Sequence, residues 1–269
     1  MSGLLVEVAE GVAQLKLNRP DAGNAMDAPF WRDFPEEVRR LDARGDVRSL
    51  VISGEGRHFS TGMDLSVFMS PEAPSPRGPD PAIAAESFRR LILQLQDTFS
   101  CLEQARFPVL AAVQGACVGA GVDLIAACDM RYASANAFFQ VQEINLGMVA
   151  DVGTFPRLCR LIPDGKVREL AYTGRRLRAE AALQLGLVNA VYDTPEALLE
   201  GVTAIAREIA GKSPLAVSGS KRMINYAREH ATADALDYVA TWNAAMFSPE
   251  HMAEAFRAQQ EKRAAAYRT

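Results

Sequence analysis

The sequence predicts an α/β fold in which strand, strand and helix recur as one unit wound into a spiral, followed by a region built only of helices. Three observations carry this. Short apolar runs at residues 49–53 and 109–113 read as buried strands that end at glycine turns. The extended pair at residues 130–133 and 137–140 repeats the pattern before another helix. After Pro195 the strand signals stop and four helical segments follow one another through short connections.

Along the chain, residues 4–8 and the apolar positions Val12, Leu15 and Leu17 flank Glu10-Gly11, which predicts a hairpin. Asn18-Arg19-Pro20 breaks it. Between residues 28 and 41, Phe30, Phe34, Val38 and Leu41 fall at helical spacing, with Asp27 as N-cap and Pro29 in the first turn. Five of the fourteen prolines crowd at positions 71, 74, 76, 79 and 81, so residues 70–81 read as a loop. Residues 82–105 set Ile83, Leu91, Ile92, Leu95, Phe99 and Leu102 on one stripe, which predicts an amphipathic helix. A further helix is expected from about Asp164, then four more at 197–209, 214–228, 232–247 and 249–267. The chain accordingly divides into a spiral core, residues 1–195, and a helical C-terminal region, residues 196–269, whose apolar faces imply a partner surface.

A chain of 269 residues, 49% hydrophobic and 23% charged, can bury a large core. The net charge is 29 − 33 = −4 and no run of five like charges occurs, so nucleic acid is not an expected partner. Four cysteines without CxxC spacing and three scattered histidines suggest neither a metal site nor a disulfide framework. No stretch of eighteen apolar residues exists, residues 1–10 carry two glutamates and no basic residue, and the chain does not end in Ser-Lys-Leu. A cytoplasmic protein that does not enter a membrane is the resulting expectation.

Chemistry concentrates in two glycine turns and three carboxylates. His58-Phe59-Ser60-Thr61-Gly62-Met63-Asp64-Leu65 follows a strand, with Asp64 placed to cap what begins next. Residues 114–124 combine a buried strand, a Gly119-Ala120-Gly121 turn and a helix start. Two such elements brought together can aim backbone N–H groups at one point, the makeup of an oxyanion hole. Asp123, Glu143 and Asp151 stand in otherwise apolar or small-residue segments, where an unpaired charge is costly. Taken singly, each has an equally good structural explanation. Asp123 can cap a helix, Asp151 the turn before Gly153, and Glu143 can pair with Arg131 or Arg157. Taken together, three carboxyls in one apolar pocket would shift one another's pKa values, so that one holds a proton while a neighbour accepts one.

The ordered set Asn18-Arg19-Pro20, Asn24-Ala25-Met26, residues 59–65, residues 114–123, Ala127-Cys128-Asp129 and residues 142–147 resembles the crotonase (enoyl-CoA hydratase/isomerase) superfamily, from about residue 5 to the C-terminus. The resemblance implies a crotonase-type spiral of ββα units, a helical C-terminal trimerisation region, and a coenzyme A thioester ligand that is part of the substrate, with no separate cofactor. It maps the oxyanion N–H groups onto Met63 and Ala120, and substrate contacts onto Gly62, Met63, Asp64, Leu65, Ser66 and Ala120. Hydratases of the superfamily carry glutamates at both positions matching Asp123 and Glu143, and the aspartate here departs from that pair. The spacings 143 − 123 = 20 and 151 − 143 = 8 instead resemble the delta-3,5-delta-2,4-dienoyl-CoA isomerases. So do Gly121-Val122-Asp123-Leu124, Ala150-Asp151-Val152-Gly153-Thr154, Leu236-Asp237-Tyr238 and Ala240-Thr241-Trp242-Asn243.

That resemblance implies Glu143 as the base at C2 of the acyl chain, Asp151 as the acid at C6, and Asp123 as the residue that orients Glu143. It also implies a homo-oligomer, a trimer or a dimer of trimers, working in the degradation of unsaturated fatty acids. Phe139, Ile144, Leu146, Met148 and Val149 are candidates for the apolar wall, and Lys262 or Arg263 for reaching the nucleotide phosphates of a neighbouring subunit. Three other readings stand beside it: hydration of a 2-enoyl-CoA, a delta-3 to delta-2 shift by Glu143 alone, and a non-catalytic protein that binds coenzyme A or RNA.

Overall fold

The computed structural model describes residues 3–69 and 80–268. Strands β1 (Leu4–Ala9) and β2 (Val12–Leu17) form the expected hairpin, and helix α1 (Ala28–Arg44) begins where Asp27 accepts a hydrogen bond from the Phe30 N–H. Then come β3 (Ser49–Gly54), the short α2 (Ser66–Met69) and the long α3 (Pro81–Gln104). Most of the proline-rich loop, residues 70–79, lies outside the described residues; Pro81 itself is the first residue of α3, capped by Asp80. Strand β4 (Val109–Val113) leads to β5 (Ala116–Val118) and α4 (Ala120–Ala126); β6 (Met130–Ser134) leads to β7 (Phe138–Gln140), α5 (Thr154–Leu158) and α6 (Asp164–Thr173). The two-residue β8 (Leu177–Arg178), α7 (Ala179–Gln184) and β9 (Ala190–Tyr192) close the mixed part.

The strands form a six-stranded sheet in the order β1-β2-β3-β4-β6-β9, parallel except at the β1–β2 hairpin, and a smaller sheet in the order β5-β7-β8. Each turn of the chain crosses from the large sheet to the second layer and then enters a helix. Strand β2 passes through Met26 to α1, β3 through Ser60 and Met63 towards α3, β4 through β5 to α4, and β6 through β7 to α5 and α6. Parallel bridges of Met26 to Met63 and of Ser60 to Cys117 join successive turns in the second layer, which makes the predicted spiral a continuous stack.

The strand alternation explains why the central strands read as unbroken apolar runs, since both faces of the sheet are covered. Leu50, Ile52, Val109, Ala111 and Val113 point into the main core, with Phe30, Phe34 and Phe99 from α1 and α3. Val51, Leu110 and Ala112 point the other way, onto Leu198, Val202 and Ala206 of α8 (Pro195–Ala210).

Three helices follow: α9 (Pro214–Ala227), α10 (Thr232–Met246) and α11 (Pro249–Glu261). The last was expected to run to residue 267. It stops at Glu261 because Lys262 turns left-handed (φ 54°), and the tail folds back so that Glu254 accepts hydrogen bonds from Arg263 and from the Ala266 N–H. No residue of α10 is buried, and Leu236, Phe247 and Phe256 are exposed on this side of the molecule. Among the described residues, no helix is long and apolar enough to cross a membrane.

Candidate active site

The two glycine turns meet because the second layer is in register. The Ser60 N–H donates to Ala116 O and the Val118 N–H to Ser60 O, each 3.0 Å, which zips the segment after β3 onto β5. Next along the chain, Gly62 takes a positive φ of 93°, and Met63 bridges to Met26. In that bridge the Met26 N–H donates to Gly62 O and the Asp64 N–H to Met26 O, so the intervening Met63 N–H faces away from its neighbour strand. Ala120 is the first residue of α4, where a backbone N–H has no partner within the helix. Among the described residues, neither the Met63 nor the Ala120 N–H reaches an acceptor, and both residues line one cavity of about 1240 Å³. An alanine suffices at position 120 because Gly119 takes the strained backbone angles, φ 52° and ψ −121°.

Parallel pairing of Val118 with Gln140 places the chain after β7 beside the chain after β5. A single 3-10 turn, Glu143–Leu146, then delivers Glu143 next to Gly119, where an added Cβ would stand 3.2 Å from Glu143 Oε1. Among the described residues, Glu143 Oε2 is buried without any hydrogen-bond partner. The structural alternative, an ion pair with Arg131 or Arg157, is not found among the described residues. Arg131 instead donates to the carbonyls of Leu187 and Cys128, and Arg157 pairs with Glu103 at 2.7 Å. An unpartnered carboxylate oxygen on a cavity wall is a group held ready to accept a proton rather than a structural ion pair.

Asp123, 1% exposed, lies on the first turn of α4, and its Oδ1 accepts from the Thr154 N–H (2.6 Å) and the Thr154 hydroxyl (2.7 Å). Burial and the neighbouring charge of Glu143 push its pKa up to about 7, against the Thr154 hydrogen bonds. Burial also raises Glu143 and Asp151. Asp151 is exposed to the open cavity, and its backbone carbonyl is held at 2.7 Å by Gln96 Nε2 of α3. All three carboxylates therefore line one cavity, and all three favour the protonated form more than a free carboxyl does.

The other predicted residues divide. Gly62, Asp64 and Leu65 line the cavity, whereas Ser66 starts α2 and does not. The Asp64 carboxylate is already engaged: it accepts the Ser66 N–H and pairs with Arg19 at 3.0 Å, which holds it below the usual carboxylate range. Leu146, Met148 and Val149 line the cavity as expected; Phe139 is buried in the core and Ile144 lies outside the lining. A further wall is one the sequence reading did not assign to the site: Phe88, Leu91, Ile92 and Leu95, at helical spacing on α3. Leu91, Ile92 and Leu95 belong to the apolar stripe that predicts an amphipathic helix here. Arg263 is paired with Glu254 and Glu261.

The family described as Enoyl-CoA hydratase/isomerase matches residues 7–269, so this chain belongs to the enoyl-CoA hydratase/isomerase family. Among its relatives, the mitochondrial Delta(3,5)-Delta(2,4)-dienoyl-CoA isomerase of Mus musculus is 42% identical over 94% of this chain and 77% of its own. The peroxisomal enzyme of the same name from Arabidopsis thaliana is 44% identical over 94% of this chain and 91% of its own. The crystal structure of an enoyl-CoA hydratase from Mycobacterium smegmatis superposes with a TM-score of 0.87, at 29% identity over 100% of both chains. The spiral architecture is thus that of the crotonase fold.

Proposed function

We propose that this protein isomerises a 3,5-dienoyl-CoA to the 2,4-dienoyl-CoA. The observation that carries the reading is the third carboxylate: Asp151 lines the same apolar cavity as Glu143 and Asp123. A shift of two double bonds needs a base at C2 and an acid at C6, whereas hydration or a single shift has no use for an acid at the far end of the diene. The relatives from Mus musculus and Arabidopsis thaliana, named for this reaction, support it.

In this mechanism Glu143 removes a proton from C2, and the C–H electrons form a double bond towards C3 as the C3–C4 pair moves to C4–C5. The C5–C6 pair takes a proton at C6 from the protonated Asp151, so the product is an isomer of the substrate. Charge that grows on the thioester oxygen is met by the N–H groups of Met63 and Ala120; one such donor contributes on the order of 3 kcal/mol to the transition state. Asp123 touches no reacting atom and acts on Glu143 through its charge. The proton gained by Glu143 and lost by Asp151 exchanges with solvent through the open cavity.

Gly62, Met63, Asp64, Leu65 and Ala120 contact the coenzyme A thioester in this reading, and no separate cofactor takes part. The exposed apolar residues of α10 and α11 fit a homo-oligomer, a trimer or a dimer of trimers. The cytoplasmic expectation stands beside relatives whose names place them in mitochondria and peroxisomes.

The deciding experiment gives the purified protein 3,5-octadienoyl-CoA and follows the ultraviolet absorbance of the conjugated product, beside hydration of a 2-enoyl-CoA. Rapid conjugation with little hydration is expected. Dominant hydration with the diene untouched overturns the proposal.

A further inference from the structure

Among the described residues, one residue holds the Asp123 carboxylate by hydrogen bonds. Its Oδ1 takes both the amide and the hydroxyl of Thr154, at 2.6 and 2.7 Å, and Thr154 is itself 1% exposed at the first position of α5. The two residues are 31 apart in sequence and come from different turns of the spiral, α4 and α5. The amide bond is what a carboxylate at a helix N-terminus ordinarily makes. The hydroxyl bond is an addition that capping does not require. With Oδ1 so occupied, rotation of the carboxylate about its own axis would break two hydrogen bonds at once, so one oxygen is kept off the cavity.

We propose that Thr154 is a positioning residue: through its hydroxyl it fixes the Asp123 carboxylate as a hydrogen-bond acceptor beside Glu143. The inference rests on the isomerase reading for its kinetic consequences, and on geometry alone for its effect on Asp123.

The charges around Asp123 show why such a hold matters. The titratable groups acting on it are Glu143 and Asp151, both acidic, and the buried Cys117 faces it from β5. No basic side chain among the described residues offsets them. Burial and Glu143 drive Asp123 towards the neutral form, and the Thr154 hydrogen bonds are what oppose this. Loss of the hydroxyl leaves the amide in place but gives the proton a stronger hold on Asp123. A neutral Asp123 no longer repels the charge on Glu143, so Glu143 becomes a weaker base.

The test compares wild type with Thr154→Val, which keeps the β-branched shape and the amide, and with Thr154→Ser, which keeps the hydroxyl. In carboxyl-labelled protein, with Asp123→Asn used to assign the signal, 13C NMR titration should place Asp123 about one pH unit higher in Thr154→Val. Thr154→Ser should restore the wild-type value. In parallel, kcat on 3,5-octadienoyl-CoA at pH 7 should fall about tenfold in Thr154→Val, its acidic limb moving to higher pH, with KM within about twofold. An Asp123 titration that stays put in Thr154→Val, or that moves equally in Thr154→Ser, overturns the proposal. Because the NMR readout needs no substrate, failure of the wild type on the diene would refute the isomerase reading and leave the Thr154 result standing.

Discussion

Gly62 and the carbonyl of Val118 approach so closely that a Cβ at position 62 would stand 2.7 Å from the Val118 oxygen and 3.4 Å from the Ala120 nitrogen. The contact sets the separation of the two backbone N–H groups that face the cavity, because Met63 directly follows Gly62 and Ala120 follows Val118 by two residues. Gly62→Ala adds that Cβ at a φ of 93°, which costs about 1–3 kcal/mol in backbone strain and pushes the two segments apart. In the isomerase reading, turnover should fall by about 10²-fold or more as one donor leaves its position. Thermal unfolding and kinetics on the same preparation check this; unchanged kcat in a folded variant would show that the separation is not critical.

Asp151→Asn tests the third carboxylate. In the isomerase reading the amide keeps the shape but supplies no acid at C6, and loss of a general acid typically costs about 10²- to 10⁴-fold. Dienoyl isomerisation should therefore collapse while binding of an unreactive acyl-CoA, measured by calorimetry, stays within a few-fold. Near-wild-type turnover would remove Asp151 from the mechanism.

The central strands of the large sheet were legible because they are buried on both faces, and α1 was legible by its periodicity and its cap, Asp27; in the structure Thr194, Ser213 and Ser248 likewise accept an N–H of the helix they precede. The short pieces were not legible. Strands β8 and β9 have two or three residues and α5 has five, too few for any period to show, yet α5 holds Asp123 in place through Thr154. The three carboxylates were legible because each stands in an otherwise apolar or small-residue segment, and their spacing carried the resemblance. Spacing could not reveal that Glu143 lacks the arginine partner available on paper, because Arg131 and Arg157 are occupied by carbonyls and by Glu103 from elsewhere in the fold. The α3 wall was not legible for a related reason: apolar periodicity marks a buried face without saying whether protein or ligand covers it.

The raised pKa of Asp123 fixes the sign of a pH effect on stability. Folded Asp123 keeps its proton up to about pH 7, whereas an unfolded aspartate loses it near 3.8. The folded state thus binds more protons in that window, and the stabilisation present below the lower value is lost as pH rises through the upper one. Asp123→Asn has no proton to lose and still accepts from Thr154. Its stability relative to wild type should therefore rise between pH 4 and pH 8, by on the order of 2–4 kcal/mol. Urea unfolding at the two pH values measures it, and a difference independent of pH would contradict the assignment.

Gln96 offers the last test, because it reaches Asp151 from α3, which also lines the cavity. Its Nε2 holds the Asp151 carbonyl at 2.7 Å, tying the acid's backbone to α3. In the isomerase reading, Gln96→Leu leaves every reacting group in place but frees that backbone, and a displacement of about 1 Å at a reacting centre can cost up to about 10²-fold. A fall in kcat of about tenfold with little change in KM is expected. The double-mutant cycle separates positioning from general destabilisation: if Gln96 acts only through Asp151, adding Gln96→Leu to Asp151→Asn costs nothing further. Fully additive losses would mean that the hydrogen bond serves the fold and not the acid.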